Sequence, residues 1–326
     1  MGEAMRAGRG GRGGPGAAGA EVLTSRDNRW LKEFRVALRG GVATASGAVG
    51  VEGVRLVEEA LGSGCRVEAV LFSESGKRHR ERLAPLVGKR EIGFPVLRTT
   101  DRLFEGIADT EHPQGVAALV EPRKAELADV LATPEGVCAP LLVVLAGMQD
   151  PGNVGTILRT AAAFGATGVV TTATGQSGTA SPFAPKAMRA SAGAALHLPI
   201  LTGMALGILL TQLKLNGIRT VATCAEERES RNWKMENRRI QEPDLREENW
   251  TGEHAMAPWE VEWCEPIALL VGNEGAGLPE EVVHGADGRI HIPMATRVES
   301  LNAAAAATVV LYEAYRQRMR KVASGE

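Results

Sequence analysis

Asp150-Pro151-Gly152-Asn153-Val154-Gly155-Thr156-Ile157-Leu158-Arg159-Thr160-Ala161 is the stretch that decides the fold class. It follows Leu141-Leu142-Val143-Val144-Leu145, an apolar run that reads as a buried strand, and apolar residues then return at helical spacing. Two further loops leave apolar strands in the same way. Gly272-Asn273-Glu274-Gly275-Ala276-Gly277-Leu278 follows Ile267-Ala268-Leu269-Leu270-Val271, and Arg289-Ile290-His291-Ile292 runs into Pro293-Met294 and on to Ser300-Leu301-Asn302. Ligands of open α/β sheets bind at such strand ends. Neither a Walker A loop nor the Rossmann glycine fingerprint is present, so these loops build another kind of site.

Reading outward, strands and helices alternate on both sides of this stretch, which argues for α/β architecture. Residues 1–20 hold eight glycines and three arginines and almost nothing able to enter a core, so they read as a disordered tail. Residues 21–121 read as a small α/β domain. A helix capped by Asp27 or Asn28 runs through Arg39, a second lies near Gly53–Leu61, and a strand covers Val67–Phe72. A helix near Arg78–Leu86, a strand at Pro95–Leu97, a helix after Thr100 and a strand at Gly115–Val120 complete it. Residues 122–139, punctuated by prolines, read as a linker, and 140–326 as the second domain. Within that domain the sequence predicts a helix begun by Ser181 and Pro182, a strand over 197–200, a helix from Thr202 to Asn216 closed by Gly217, and a strand over 218–224. The alternation breaks at 225–265, a segment holding four of the five tryptophans (Trp233, Trp250, Trp259 and Trp263), which reads as an insertion packed on the protein or on a dimer partner.

Composition excludes several classes. No apolar run approaches the roughly 20 residues that span a bilayer, and no apolar signal core follows the N-terminus, so a cytoplasmic protein without a membrane partner is expected. Cys65, Cys138, Cys224 and Cys264 are scattered without metal-ligand spacing, so neither a disulfide nor a zinc site is expected. The net charge of −2 hides a local imbalance: residues 225–265 carry −6, leaving +4 elsewhere. Lys77-Arg78-His79-Arg80, with Arg82, Lys89 and Arg90, forms a basic cluster suited to a phosphate backbone.

The three loops, in this order, resemble the three motifs of the SpoU (TrmH-type) RNA 2′-O-ribose methyltransferases of the SPOUT superfamily. The resemblance covers roughly residues 140–322. Val51-Glu52-Gly53-Val54-Arg55-Leu56-Val57 and His112-Pro113-Gln114-Gly115 are similar to the L30e-like substrate-binding domain that precedes many such catalytic domains. The resemblance implies a SPOUT-type α/β catalytic domain with a deep C-terminal trefoil knot, S-adenosyl-L-methionine as cofactor, no metal, and a homodimer with apolar surface around Leu311, Tyr312 and Tyr315. It implies an RNA substrate, rRNA ahead of tRNA. The cofactor-binding positions it implies are Gly272, Ile292 and Leu301, and the catalytic ones Asn153, Arg159, Glu274, Ser300 and Asn302.

The chemistry of those residue types agrees with such a role. The leaving group of a sulfonium is already good, so the site has to align the hydroxyl with the methyl group and assist loss of its proton. The arginine matching Arg159 is proposed in the family to activate the hydroxyl. A guanidinium has no spare acceptor and stays protonated, so gripping phosphate and stabilising the developing alkoxide is the chemistry it can supply. Asn153 can orient a neighbouring group or cap its own helix. Glu274 can fix an Asn or Arg by accepting hydrogen bonds, or sit at the start of the following helix. Ser300 and Asn302 begin the last helix, with Ser300 a sound N-cap. Lys186, Arg189, Ser191 and His197 lie in or beside a stretch that also resembles the family and is expected to present cations to the RNA backbone. The competing class is a noncatalytic RNA-binding protein that retains the fold; a Rossmann-type methyltransferase is disfavoured by the spacing of the first glycine loop.

Overall fold

The computed structural model describes residues 21–88, 93–135, 137–174, 177–224, 255–295 and 300–324. The Gly/Arg-rich tail, Lys89 and Arg90, and Trp233 and Trp250 of the expected insertion lie outside them.

The first part of the chain runs β1 (Glu21–Leu23), α1 (Arg29–Leu38), β2 (Val49–Glu52), α2 (Val54–Gly62), β3 (Arg66–Phe72), α3 (Arg80–Gly88), β4 (Val96–Thr99), α4 (Asp101–Glu105) and β5 (Val116–Glu121). These strands form one sheet in the order β1-β4-β3-β5-β2, parallel among the first three and antiparallel around β5. The two faces separate by the strand period of two. Ala69, Leu71, Ala117 and Leu119 face α1, meeting Leu31, Phe34 and Leu38. Val70, Phe72, Val116, Ala118 and Val120 share a second cluster with Val57 and Leu61 of α2. Val67 belongs to that second face despite its odd number, because a register shift between Val67 and Ala69 resets the alternation. Local caps follow the expected residues: the Asn28 side chain accepts from Trp30 N at 2.9 Å, and that of Thr100 from Leu103 N at 3.3 Å. The strands β1 and β2 carry no clear period and were absent from the expected pattern.

The second part runs α5 (Leu127–Leu131), β6 (Leu141–Ala146), α6 (Pro151–Ala163), β7 (Gly168–Thr174), β8 (Ser177–Gly178), α7 (Pro185–Ala190), β9 (Ile200–Ala205), α8 (Leu206–Leu215), β10 (Arg219–Thr223), β11 (Ile267–Val271), α9 (Glu280–Gly285), β12 (Gly288–Ile290) and α10 (Ala303–Ser324). Its sheet is ordered β12-β10-β11-β6-β7, with β9 also parallel to β7 and only β8 antiparallel. Every residue of β6 is buried, the continuous apolar signature of a parallel strand covered on both faces. The order matters for the site: β11 lies beside β6 with Val271 opposite Leu145, so the loops leaving these two strands emerge side by side.

Two helix starts read from the sequence need correction. The helix expected at Ser181-Pro182 starts at Pro185, which occupies the first helical position and does the work assigned to Pro182. Thr202–Ala205 extends β9 along β7 instead of opening α8, because pairing with Thr171–Ala173 satisfies its backbone. The segment 122–139 packs onto the second sheet: Val130 is fully buried, and a Cβ added at Gly168 would lie 2.6 Å from its Cβ. The end of the insertion, from residue 255, packs on the protein, one of the two alternatives the sequence offered. Met256 bridges Ile290, and Trp263 is fully buried with its indole N–H donating to Pro258 O at 2.8 Å, whereas Trp259 is half exposed.

Arg318 of α10 anchors this arrangement from inside. Its guanidinium donates to the carbonyls of Ala139, Pro140, Trp263 and Glu265, just ahead of β6 and β11. Burial lowers its pKa from the usual value. The alanine-rich start of α10 lets it lie close to α6, where the Thr308 and Thr160 hydroxyls are 3.2 Å apart.

Candidate active site

The first loop is shaped by Asp150, whose side chain caps α6 by accepting from Gly152 N at 3.1 Å. Lys186 Nζ is 2.5 Å from the same carboxylate. Together these hold Asp150 below the usual carboxylate range, the hydrogen bond from Lys186 being the largest cause. Asn153 is thereby released from capping and its side chain turns to the other two loops.

Glu274 receives it. One carboxylate oxygen accepts from Asp150 N at 3.0 Å and Asn153 Nδ2 at 3.1 Å, and the other accepts from Gln149 N at 3.0 Å. Asn153 Oδ1 in turn accepts from Asn302 Nδ2 at 3.1 Å. Asn302 Oδ1 caps α10 by accepting from Ala304 N at 2.9 Å and Ala305 N at 3.3 Å. The hydrogen-bonded series Glu274–Asn153–Asn302 therefore joins all three loops. Partial burial acts to raise the pKa of Glu274, yet the donors from Gln149, Asp150 and Asn153 outweigh it, and the net shift is downward. The carboxylate thus stays ionised at neutral pH and dictates the amide orientation of Asn153.

The second loop is folded on itself by Asn273. Its Oδ1 accepts from Gly275 N at 2.9 Å and Ala276 N at 3.0 Å, and its Nδ2 donates to Gly147 O at 2.8 Å. Reciprocal backbone bonds between Asn273 and Gly277 close the turn, with Gly277 at φ +70°. A Cβ on Gly272 would lie 2.3–2.5 Å from the backbone of Gly277 and Leu278, so only glycine permits this passage.

A cleft of about 410 Å³ opens between the second and third loops, lined among others by Gly272, Glu274, Ile292, Ser300 and Leu301. Its wall is largely main chain and aliphatic side chain. His291 also lines it and buries Nδ1 without a hydrogen-bond partner among the described residues. A polar atom orphaned in this way suits a wall that a ligand with polar edges completes. No group of His, Cys, Asp and Glu among the described residues is placed to hold a metal.

The positions singled out in the sequence fall into three sets. Gly272, Ile292, Leu301, Glu274 and Ser300 border one cleft, and Asn153 and Asn302 join Glu274 at its rim. Arg159 stands apart: its side chain is exposed on α6, six residues beyond Asn153 or about 9 Å along the helix axis, and makes no hydrogen bond or ion pair with another described residue. The cap assigned to Ser300 belongs to Asn302, because the helix begins at Ala303 and its first free amides reach Asn302 Oδ1. Leu311 is fully buried in its own protomer, so it offers no surface to a partner; Tyr312 is exposed. Arg189 and His197, expected to face RNA, lie beside carboxylates of the first part of the chain, Asp109 and Glu59. Sequence reasoning missed Asn273 and Lys186 as shapers of the loops. An Asn ahead of Gly-x-Gly, which can fold back on its own turn, was the available signal for the former.

Two family models match the chain. The SpoU rRNA Methylase family matches residues 140–312, and the MRM3-like substrate binding domain matches residues 44–118. The chain is 27% identical over 291 residues to the 23S rRNA (guanosine(2553)-2′-O)-methyltransferase RlmP of Bacillus subtilis, covering 89% of this chain and 97% of that protein. It is 31% identical over 250 residues to the 23S rRNA (guanosine-2′-O-)-methyltransferase RlmB of Ralstonia nicotianae, covering 76% and 87%. Among solved structures, an AdoMet-bound rRNA methyltransferase from Sinorhizobium meliloti is similar with a TM-score of 0.69 at 27% identity, covering 91% of this chain and 98% of that one. The SpoU methyltransferase AviRb from Streptomyces viridochromogenes, solved with AdoMet, is similar with a TM-score of 0.67 at 26% identity, covering 90% and 98%.

Proposed function

Because the chain belongs to the SpoU rRNA methylase family, with the α/β fold of the SPOUT methyltransferases, we propose that it transfers a methyl group from S-adenosyl-L-methionine to a ribose 2′-hydroxyl of ribosomal RNA. The observation that carries the proposal is the Glu274–Asn153–Asn302 series, which ties three separate loops into one rim beside a glycine-walled cleft. The names of the RlmP and RlmB relatives support both the ribose position and the class of RNA.

When bound, the cofactor supplies an electrophilic methyl group on a positively charged sulfur. In this reading the backbones at Gly272, Ile292 and Leu301 hold it in the cleft, and His291 Nδ1 gains the polar partner it lacks. Asn153 and Asn302, oriented by Glu274, line the approach of the acceptor ribose. Arg159, exposed on α6, grips the adjoining phosphate and stabilises the alkoxide as it develops. Ser300 stands at the cleft mouth as a further contact to the acceptor. The first sheet and its helices bind the flanking RNA. The trefoil knot that family membership implies is part of this reading.

The protein acts as a homodimer in this proposal. On α10, Val309, Tyr312, Met319 and Val322 are each between 44% and 54% exposed and form an apolar stripe along one helix. Light scattering at micromolar concentration should give twice the chain mass; a monomer removes this part of the reading. The activity itself is tested by incubating the protein with labelled cofactor and separated rRNA and tRNA. Methyl incorporation into rRNA supports the proposal, and incorporation confined to tRNA or absent from both refutes it.

A further inference from the structure

Resting on that reading of the site, we propose that Arg189 and Asp109 are a pair of positioning residues that set the RNA-binding sheet at a fixed angle to the catalytic helix α6. Arg189 Nη1 lies 2.7 Å from Asp109 Oδ2. The two residues are far apart in sequence. Asp109 lies in the turn after α4, on the first sheet, and Arg189 in the last turn of α7, on the second.

Each partner is held from behind. Glu52, buried at the end of β2, accepts from Asp109 N at 2.8 Å and from the Thr110 hydroxyl, which fixes the turn to the first sheet. On the other side α7 is pressed against α6. A Cβ on Gly155 would stand 2.3 Å from Ala187 O and 2.7 Å from Ala190 Cβ, so the helices touch only because position 155 is glycine. Lys186 then ties the first turn of α7 to Asp150, the cap of α6. This same α6 carries Asn153 and Arg159. A shift of Arg189 relative to Asp109 is therefore a shift of the RNA-binding sheet relative to the residues that receive the ribose.

A second contact runs alongside. His197 Nε2 is 3.0 Å from Glu59 Oε2 of α2, and Gly193, at φ +88°, lies where a Cβ would be 2.8 Å from Glu59 Cβ. Arg189 through its ion pair and His197 through its hydrogen bond thus hold the two sheets together and do not face phosphate. Both members of the Arg189 pair remain about one-third exposed, at 35% and 31%, so the pair contributes little to folding and acts through orientation. Orientation is what the reaction needs, since misplacing reacting atoms by about 1 Å costs on the order of a hundredfold in rate.

The test uses the full chain as Arg189→Asp, Asp109→Arg, and the two combined, which exchanges the charges. Each single reversal should raise KM for rRNA roughly tenfold, leave the cofactor dissociation constant within about twofold, and expand the particle in small-angle X-ray scattering. The exchange should bring KM back to within about threefold and restore the scattering profile, since coupling in a double-mutant cycle isolates the pair. Should either reversal fold poorly, Arg189→Gln and Asp109→Asn carry the same cycle with smaller effects. Single variants with unchanged KM, or an exchange no better than its parents, would overturn the proposal. If the wild-type chain methylates no RNA, the functional reading fails separately, and the scattering arm still decides whether the pair holds the two sheets.

Discussion

Glu274→Gln isolates the residue on which the joined rim depends. The carboxylate accepts three hydrogen bonds, two on one oxygen from Asp150 N and Asn153 Nδ2 and one on the other from Gln149 N. An amide of the same shape keeps one oxygen. If that oxygen retains Asp150 and Asn153, the new NH2 group faces Gln149 N–H, and two donors oppose each other. The change thus removes one bond and the charge assistance of two more. Hydrogen bonds to charged groups contribute about 1.5–3 kcal/mol when sheltered, and the exposure of Glu274 reduces the total loss to about 1–2 kcal/mol. Loss of that size releases Asn153 from its single orientation and should lower turnover roughly tenfold, 1.4 kcal/mol being a factor of ten. Single-turnover methyl transfer at saturating cofactor reads this directly, with calorimetry to follow cofactor binding. The pH dependence gives a second handle. Because the Glu274 pKa lies below its ordinary 4.5, its contribution is complete above that value and is lost only as pH falls through the lower native pKa. Wild-type turnover in Glu274→Gln, at unchanged cofactor affinity, would refute the reasoning.

Three other outcomes are expected. Arg159→Ala should depress turnover by roughly a hundredfold or more with cofactor affinity retained, since the cleft is built from the other two loops; near-normal turnover would remove this residue from the chemistry. Arg159→Lys should recover only part of that loss, because a point charge does not reproduce the planar fork. Arg318→Met should leave four carbonyls at the ends of Ala139, Pro140, Trp263 and Glu265 without their donor and cost about 3 kcal/mol, seen as a fall of roughly 6–12 °C in Tm; a Tm within 2 °C of wild type, on the order of 0.5–1 kcal/mol, would show that water replaces the guanidinium.

Much of this was legible in the sequence because periodicity and punctuation agree there. Leu141–Leu145 and Ile267–Val271 could be little other than buried strands, and Asn28 and Thr100 stood at helix starts that the structure reproduces. The departures arise where a contact distant in sequence outweighs local preference. Thr202–Ala205 has the look of a helix start until β7 offers a parallel edge, and Ser300 is a good cap that loses to Asn302, whose other side-chain atom is engaged by Asn153. Arg189 is the plainest case: no local signal distinguishes a cation meant for phosphate from one meant for Asp109, since the partner lies some eighty positions away and is placed only by the packing of α7 on α6. Trp263 likewise sits in an acidic stretch with no local signal for burial, and its main chain is held by Gln317 and Arg318 of a helix that follows later in the chain.

The central claim, methyl transfer to a ribose 2′-hydroxyl, is tested most directly at the acceptor. After the methylated nucleotide has been mapped in rRNA, a synthetic fragment carrying that nucleotide is prepared in two forms, one natural and one with a single 2′-deoxy substitution. The account predicts methyl incorporation into the natural fragment and none into the deoxy fragment at equal binding. Incorporation into the deoxy fragment would place the methyl group on a base atom and contradict it.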